Sequence, residues 1–375
     1  MIRLFKPYVG DEELQNIKDV FERQWLGLGP LVAEFEDKWT ERFKSADSVG
    51  LNSCTAALHL ALNAYSFKEG SEVLVPAITF VSSAHAILYN NLKPVFVDVD
   101  PVTLCISTDD LQKKISSKSV AILPVHMGGH VCEMLDIMSI AKDHNLKVIE
   151  DCAHNAGGMY KDKYVGTIGD IGCFSFEEKK NMTTGDGGMI TSHDGDLIKE
   201  IKKIRWCGID RDTWKRVKYQ DPSDDNPMHW YYEVPKLGYK YNMNDLAAAI
   251  GLAQLEKLDF MNTYRATLIK KYISELENIE GLSFGMPYQL ENSSYWLFLV
   301  KVKKRDAFIN HMKKNGVSTG VHFMPLPLHP LYEKFDDPIP VSMKIWEELV
   351  TLPLYVGMTD DELQIVVDAV KSFDF

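Results

Sequence analysis

Cys173-Phe-Ser-Phe-Glu-Glu-Lys-Lys-Asn-Met-Thr-Thr-Gly-Asp-Gly-Gly188 reads as a buried strand that breaks into a polar loop with two lysines and ends in a glycine-rich turn. A lysine amine is a useful nucleophile toward an aldehyde only where its ammonium form is disfavoured, by desolvation or a nearby cation. The apolar run Ile171 to Phe176 and the small residues beyond Met182 suit such a half-buried place for Lys180. A Lys-Lys pair alone is ordinarily a solvated turn, so the chemistry must be decided by the stretches on either side.

Outward from that loop the chain alternates short apolar runs with helix-forming runs. Strands are expected at Val49–Leu51, Glu72–Val75, Pro94–Val97, Val120–Pro124, Leu146–Ile149 and Gly187–Thr191. Between and beyond them, helices are expected at Ala56–Ala64, Phe80–Tyr89, Asp109–Ile115, Met134–His144 and Asp196–Trp206. That alternation predicts an α/β fold with a mainly parallel sheet covered by helices on both faces, and ligands at the carboxyl ends of strands. Two amphipathic helices, Asp11–Phe21 and Leu31–Phe43, precede the sheet, split by Trp25-Leu-Gly-Leu-Gly-Pro30.

A long helix begins at Met243 and is extended to about Leu276. Beyond it the pattern becomes α+β on a smaller scale: Leu282–Phe284, Tyr295–Val302, Arg305–Lys314, Thr319–Phe323, Met343–Leu349 and Asp360–Phe373. The expected division is a large domain over residues 1–250 and a small C-terminal domain over 251–375. Gly208–Glu233, with Trp214, Trp230, Tyr231 and Tyr232, is a long polar and aromatic excursion of the kind that often serves function.

The chain has 375 residues, a net charge of −12, 45% hydrophobic and 25% charged residues. An acidic chain without a Lys/Arg-dense stripe argues against binding a nucleic-acid backbone. No signal sequence and no run long enough for a membrane span is found, so the expectation is a cytoplasmic protein with no membrane partner. The six cysteines are scattered and lack a Cys-x-x-Cys pair, which reads as free thiols in a reducing compartment, and no metal site is expected.

Three further stretches bear on chemistry. Lys147-Val-Ile-Glu-Asp151 ends in a carboxylate where a parallel strand meets the ligand crevice, and Cys152-Ala-His154 follows. Asn52-Ser-Cys-Thr-Ala56 opens a helix with hydroxyls and free amides suited to a phosphate, although Ser and Thr are also ordinary caps. Thr79-Phe80 follows a strand and offers a ring that either stacks on a planar ligand or packs in the core. Together, a phosphate cradle, a flat aromatic, a strand-end acid and a lysine on a loop are what pyridoxal phosphate requires.

The chain resembles the DegT/DnrJ/StrS-type sugar-nucleotide aminotransferases from Leu4 to about Phe373. The resemblance is carried by Gly27-Leu-Gly-Pro30, Ser53-Cys-Thr-Ala-Ala-Leu-His-Leu-Ala61, Pro94-Val-Phe-Val-Asp-Val-Asp100, Glu150-Asp-Cys-Ala-His154, Ser175-Phe176 with Lys180, Thr183-Thr-Gly-Asp-Gly-Gly188, Gly238-Tyr-Lys-Tyr-Asn242 and Leu352-Pro-Leu354. It implies the aspartate aminotransferase-like fold (type I), a homodimer with shared active sites, and pyridoxal 5'-phosphate as cofactor. By the same resemblance, L-glutamate donates an amine to a nucleotide-linked keto-sugar, a 4-keto-6-deoxyhexose, for amino-sugar or surface polysaccharide biosynthesis.

Carried over residue by residue, Lys180 matches the Schiff-base lysine, with Lys179 one place early. Asp151 matches the acid on the pyridine nitrogen, His154 the group near the ring hydroxyl and Phe80 the stacking aromatic. Thr55, Ala56 and Ser175 match phosphate ligands. Lys240 and Asn242 occupy the motif that reaches the neighbouring subunit's cofactor phosphate, where Asn and Arg are usual. Cys54 replaces a usual Gly, Asp186 a usual Glu, and Glu177-Glu178 stand where non-acidic residues are common. Trp214, Tyr231, Tyr232, His322 and His329 are substrate-side candidates. The alternatives are a PLP-dependent keto-deoxysugar dehydratase, whose branch carries His in place of the lysine, and a non-catalytic regulator of the same fold.

Overall fold

The computed structural model describes residues 1–210, 230–291, 294–335 and 337–375. Strands β1 (Asp47–Leu51), β2 (Glu72–Pro76), β3 (Lys93–Val97), β4 (Ser119–Ile122), β5 (Lys147–Asp151), β8 (Ile171–Ser175) and β9 (Gly188–Ser192) form one sheet in the order β1-β9-β8-β5-β4-β2-β3. The two-residue strands β6 (Met159–Tyr160) and β7 (Lys163–Tyr164) make a separate ribbon. Every residue of β2, β8 and β9 is buried, as expected of strands covered on both faces.

The parallel pairs are β3 with β2, β2 with β4, β4 with β5, and β5 with β8. β9 alone runs against its neighbours β8 and β1. The reason lies in the connection. Residues 176–187 return as a hairpin, with Ser175 opposite Gly188, and they form no helix of the kind that usually carries a chain across the sheet to a parallel position. The carboxyl ends of β1, β2, β5 and β8 therefore open on one crevice, with the Lys180 hairpin beside them.

Helices α1 (Asp11–Arg23), α2 (Pro30–Phe43), α3 (Cys54–Ala64), α4 (Val81–Tyr89), α5 (Thr108–Lys114), α6 (Met134–His144) and α7 (Gly195–Ile204) belong to this part of the chain. Ser53 caps α3 by accepting the Ala56 N–H at 3.1 Å, which fixes how the chain turns from β1 into the helix. Gly188 is required beneath that turn, because a Cβ there would lie 2.5 Å from the carbonyl carbon of Ser53. α8 (Asp245–Leu276) is 32 residues long and leads to the C-terminal unit.

That unit is an antiparallel sheet of β10 (Leu282–Phe284), β11 (Phe298–Val302) and β12 (Leu349–Leu352), with α9 (Arg305–Lys314), α10 (Pro340–Trp346) and α11 (Asp360–Lys371). The first residues of the chain pair with it: Ile2 donates to the Gly316 carbonyl at 2.7 Å, and Leu354 donates to the Leu4 carbonyl at 3.2 Å.

Two expectations change here. The helix read over Met343–Leu349 starts at Pro340 and ends at Trp346, and Leu349 opens a strand instead. Pro at the first helical position has its φ preset and no N–H to satisfy, and Asp98 accepts the free N–H groups of Val341 and Ser342 at 2.8 and 2.7 Å. Leu349-Val-Thr-Leu352 is buried at all four positions, which suits a strand paired with β11. The expected element at Thr319–Phe323 is irregular chain, tied by one bridge from Gly320 to Thr351.

All six thiols are free, and only Cys207 is exposed. Among the described residues, no helix is long and apolar enough to cross a membrane.

Candidate active site

The strand ends and the hairpin enclose a cavity of about 750 Å³ whose wall includes Thr55, Phe80, Asp151, His154, Ser175, Lys180 and His322. These residues come from distant parts of the chain, and the topology alone brings them together.

Lys180 sits on a hairpin that is held from both ends and from below. Phe176 donates to the Gly187 carbonyl at 2.9 Å, closing the hairpin. From α8, Gln254 accepts the Thr183 N–H at 3.1 Å. Arg265, also on α8 and buried, donates to the carbonyls of Lys180 at 3.3 Å and Asn181 at 3.1 Å. The lysine's backbone is thereby fixed while its half-buried side chain reaches the cavity. Burial strips water from the ammonium and pulls its pKa down to about 8, against the opposing pull of Glu177 and Asp151. A substantial neutral fraction near physiological pH is what a nucleophilic amine needs.

Asp151 lies at the end of β5, buried. Ser83 donates to one carboxylate oxygen at 2.8 Å and the Ala153 N–H to the other at 3.1 Å. Burial raises this acid's pKa, and these two hydrogen bonds oppose the rise by favouring the anion. The backbone N–H of Gly128 donates to His154 Nδ1 at 3.3 Å, so the ring proton of His154 is on Nε2. Burial and the charge on Lys180 hold this imidazole neutral, its pKa well below the usual value.

Trp296 closes the site from the C-terminal unit. Its indole N–H donates to the Lys179 carbonyl at 2.6 Å, its ring stacks on His154 at 4.3 Å and on Phe5 at 5.2 Å, and the Lys180 amine lies 3.5 Å from its centroid. His322 lies edge-on to the same indole at 5.4 Å and bonds Thr351 Oγ1 at 2.7 Å, with its pKa lowered to about 4 by burial and then by the lysines.

The cavity wall carries the hydroxyls of Ser53 and Thr55 at the N-terminus of α3, of Ser82 in the first turn of α4, with Thr55 and Ser82 2.7 Å apart, and of Ser175 at the end of β8. Hydroxyl donors at a helix N-terminus, an amine pulled below its usual pKa, and a buried carboxylate facing one cavity fit a phosphorylated aromatic aldehyde with a basic ring nitrogen. Phe80, exposed by 54%, presents its ring to this space.

Other sequence-derived candidates lie elsewhere. Ala56 is buried behind the cavity wall, its N–H taken by Ser53. Lys240 is exposed, its amine 3.1 Å from the centroid of the Trp206 ring and 3.1 Å from Asn242 Oδ1. Neither Lys240 nor Asn242 lines the cavity of its own chain, and neither do Tyr231, Tyr232 and His329. Trp214 lies outside the described residues. Of the family departures, the Cys54 thiol, Glu177 and Asp186 face the cavity, while Glu178 joins Glu177 around Lys179 at 3.7 and 3.5 Å.

Residues 7–371 match the DegT/DnrJ/EryC1/StrS aminotransferase family. The chain belongs to this family. It is 35% identical to the spore coat polysaccharide biosynthesis protein SpsC of Bacillus subtilis, over 98% of this chain and 95% of SpsC. It is 32% identical to the GDP-perosamine synthase of Escherichia coli O157:H7, over 99% of this chain and 98% of that protein. Among solved structures, the PMP-form of Streptococcus pneumoniae Spr1654 superposes with a TM-score of 0.91 at 27% identity, covering 99% of this chain and 98% of that one. The protein is a PLP-dependent aminotransferase with the aspartate aminotransferase-like fold, acting between an amino donor and a sugar.

Sequence reasoning missed several residues that this aminotransferase places in or against the site. Trp296 sits in an apolar run, where nothing distinguishes it from core. Ser82 and Ser83 look like polar positions of an ordinary helix. Arg265 is one of four cationic residues in the long helix α8, with Lys257, Lys270 and Lys271, and Arg3, Leu4 and Phe5 reach the cavity only because the first strand-like residues pair with the C-terminal unit. A buried trio elsewhere, His126, Glu150 and Cys152, has metal-like spacing. Glu150 already accepts from His126 Nε2 and from the N–H groups of Gly166, Ile168 and Gly169, so its lone pairs serve the fold.

Proposed function

We propose that this chain transfers the amino group of L-glutamate to the carbonyl carbon of a nucleotide-linked keto-sugar, a 4-keto-6-deoxyhexose, for amino-sugar or surface polysaccharide biosynthesis. The names of SpsC and GDP-perosamine synthase support the acceptor class. The observation that carries the reading is the Lys180 amine, with its pKa near 8, sharing one cavity with the buried Asp151 carboxylate and the hydroxyls at the start of α3. In the net reaction the Cα–H and C–N bonds of glutamate break and water supplies the keto oxygen of 2-oxoglutarate, while C–H and C–N bonds form at the sugar carbon, whose carbonyl oxygen leaves as water, so no water is gained or lost.

Pyridoxal phosphate supplies, when bound, an aldehyde that carries the nitrogen and an electron-withdrawing ring that stabilises the carbanion. Thr55, Ser82, Ser175 and the free N–H groups of α3 would hold its phosphate, Asp151 its ring N–H, and Phe80 one ring face. Lys180 Nζ would hold the aldehyde between turnovers and, when free, would be the base placed to take the proton from the α-carbon of the donor. Ser83 keeps Asp151 ionised for its role. The neutral His154, with its proton on Nε2, would offer a hydrogen-bond donor to the cofactor. Remote binding of the nucleotide and diphosphate would orient the reacting sugar carbon.

A homodimer belongs to the same proposal. Lys240 and Asn242 do not line their own chain's cavity, which supports a role in a second subunit's phosphate site. Tyr231, Tyr232 and His329 are assigned to the substrate entrance on the same footing. The division into residues 1–250 and 251–375, with α8 spanning the boundary, and a cytoplasmic location complete the reading.

The test is a screen of purified protein with L-glutamate against dTDP-, UDP- and GDP-linked keto-sugars, scored by the mass of the aminated product. Absence of product with every acceptor, from protein that carries the cofactor, would overturn the substrate class.

A further inference from the structure

The environment of the Lys180 amine has one feature that its chemistry as a nucleophile does not use. The amine lies 3.5 Å from the centroid of the Trp296 ring, closer than the outer limit of about 6 Å for an ammonium over an aromatic face. The indole is held in place. It is buried, its N–H is fixed to the Lys179 carbonyl at 2.6 Å, and its ring stacks on Phe5 of the N-terminal segment at 5.2 Å and on His154 beyond the β5 end at 4.3 Å. The same residue therefore anchors the peptide next to the lysine and offers its face to the lysine's amine.

We propose that the indole face of Trp296 is the resting place of the Lys180 amine whenever that amine is not covalently engaged, which makes Trp296 a positioning residue for the proton transfers of the reaction. The proposal rests on Lys180 being the lysine that binds the cofactor. An amine released during turnover must stay close to the reacting carbon and hold its proton until that proton is delivered. A flexible four-carbon arm in an open cavity satisfies neither condition by itself. A ring face attracts the ammonium but not the neutral amine, so the contact retains the protonated lysine and lets go as the proton leaves.

The other charged and titratable groups around this amine are Glu177 and Lys179 on its own hairpin, Asp151 at the end of β5, Cys54 at the start of α3, and His154 and His322. Glu177 and Asp151 favour the ammonium, and Lys179 opposes it. The two histidines are neutral near physiological pH, because both have their pKa depressed. Trp296 is the aromatic face among these groups and carries no proton of its own to titrate.

The experiment uses the full chain freed of cofactor. Acetylation of Lys180 by acetic anhydride, followed peptide by peptide across pH, gives the midpoint of its deprotonation. In Trp296→Leu the midpoint is expected to fall by about one pH unit, with acetylation near pH 7 about fivefold faster, and in Trp296→Phe by less. An unchanged or raised midpoint in variants that keep the native circular dichroism would overturn the proposal, since loss of packing alone lets water in and raises it.

A second measurement leaves Trp296 intact. The wild-type tryptophan emission should change with a midpoint near 8, and this change should be missing in Lys180→Met. Identical titrations in the two proteins would overturn the contact. Loss of the bound cofactor's visible absorbance in Lys180→Ala tests the underlying reading separately, so either can fail while the other stands.

Discussion

Lys180 is expected to make the cofactor-free protein less stable at neutral pH than a variant without the charge. Its ammonium is disfavoured in the fold, with the pKa lowered from 10.5 to about 8. At 1.36 kcal/mol per pH unit this difference corresponds to about 3 kcal/mol against the charged form. Solvent reaching a half-buried side chain reduces the figure to about 2 kcal/mol. The unfolded chain binds the proton more readily than the native one, so the penalty is fully present below about pH 8 and disappears as pH rises toward 10.5. Lys180→Met removes the charge while keeping a flexible apolar stem of similar length. At pH 7 its cofactor-free form should be more stable than wild type by about 2 kcal/mol, or roughly 3 °C in melting temperature for a chain of this length. Paired urea and thermal denaturation of the two cofactor-free proteins from pH 6.5 to 10.5 would measure the gap, with the other titrating groups cancelling in the difference. A gap of the opposite sign at pH 7, or one that does not shrink toward pH 10.5, would refute the claim that burial depresses this amine.

Other consequences can be measured independently. Ser83→Ala removes a hydrogen bond that favours the Asp151 anion, so the acid's already raised pKa should climb further and the acid limb of the pH–rate profile should move to higher pH. Asp151→Asn should lower the rate of amino transfer by about 100-fold or more in single-turnover assays with glutamate, because an amide cannot stabilise a protonated ring nitrogen. Arg265→Met leaves the buried carbonyls of Lys180 and Asn181 without their donor and should cost about 2–4 kcal/mol in urea denaturation. Gly188→Ala forces Ser53 away from its position at the start of α3, and equilibrium titration should record weaker cofactor binding by about tenfold or more.

Much of this arrangement was legible in the sequence because local and global signals agree there. β5 is a short apolar run that ends in Asp151, and the α3 entry is written in the residues Ser53 to Ala56, so strand-end chemistry could be placed without coordinates. The reversal of β9 was not legible: a buried strand has the same pattern in either direction, and the twelve residues of 176–187 are long enough for either connection. Leu349 was read as the end of a helix and Val350–Leu352 as no element, because a run of four buried residues has no periodicity that separates strand from helix end. Trp296 and Arg265 were missed for a different reason. Their significance lies in a ring face and a guanidinium meeting a loop more than eighty positions away in the chain, and nothing near either residue announces that meeting.

Because β9 turns straight back along β8, the segment bearing Lys180 is pinned at both feet to adjacent rungs of the sheet. The main chain under the amine therefore has little room to travel, and nearly all of the reach needed to serve two different substrates in turn must come from rotation about the lysine's own carbon–carbon bonds. Catalysis in this protein asks for a stiff pivot and a limber arm, and the hairpin divides those duties between backbone and side chain.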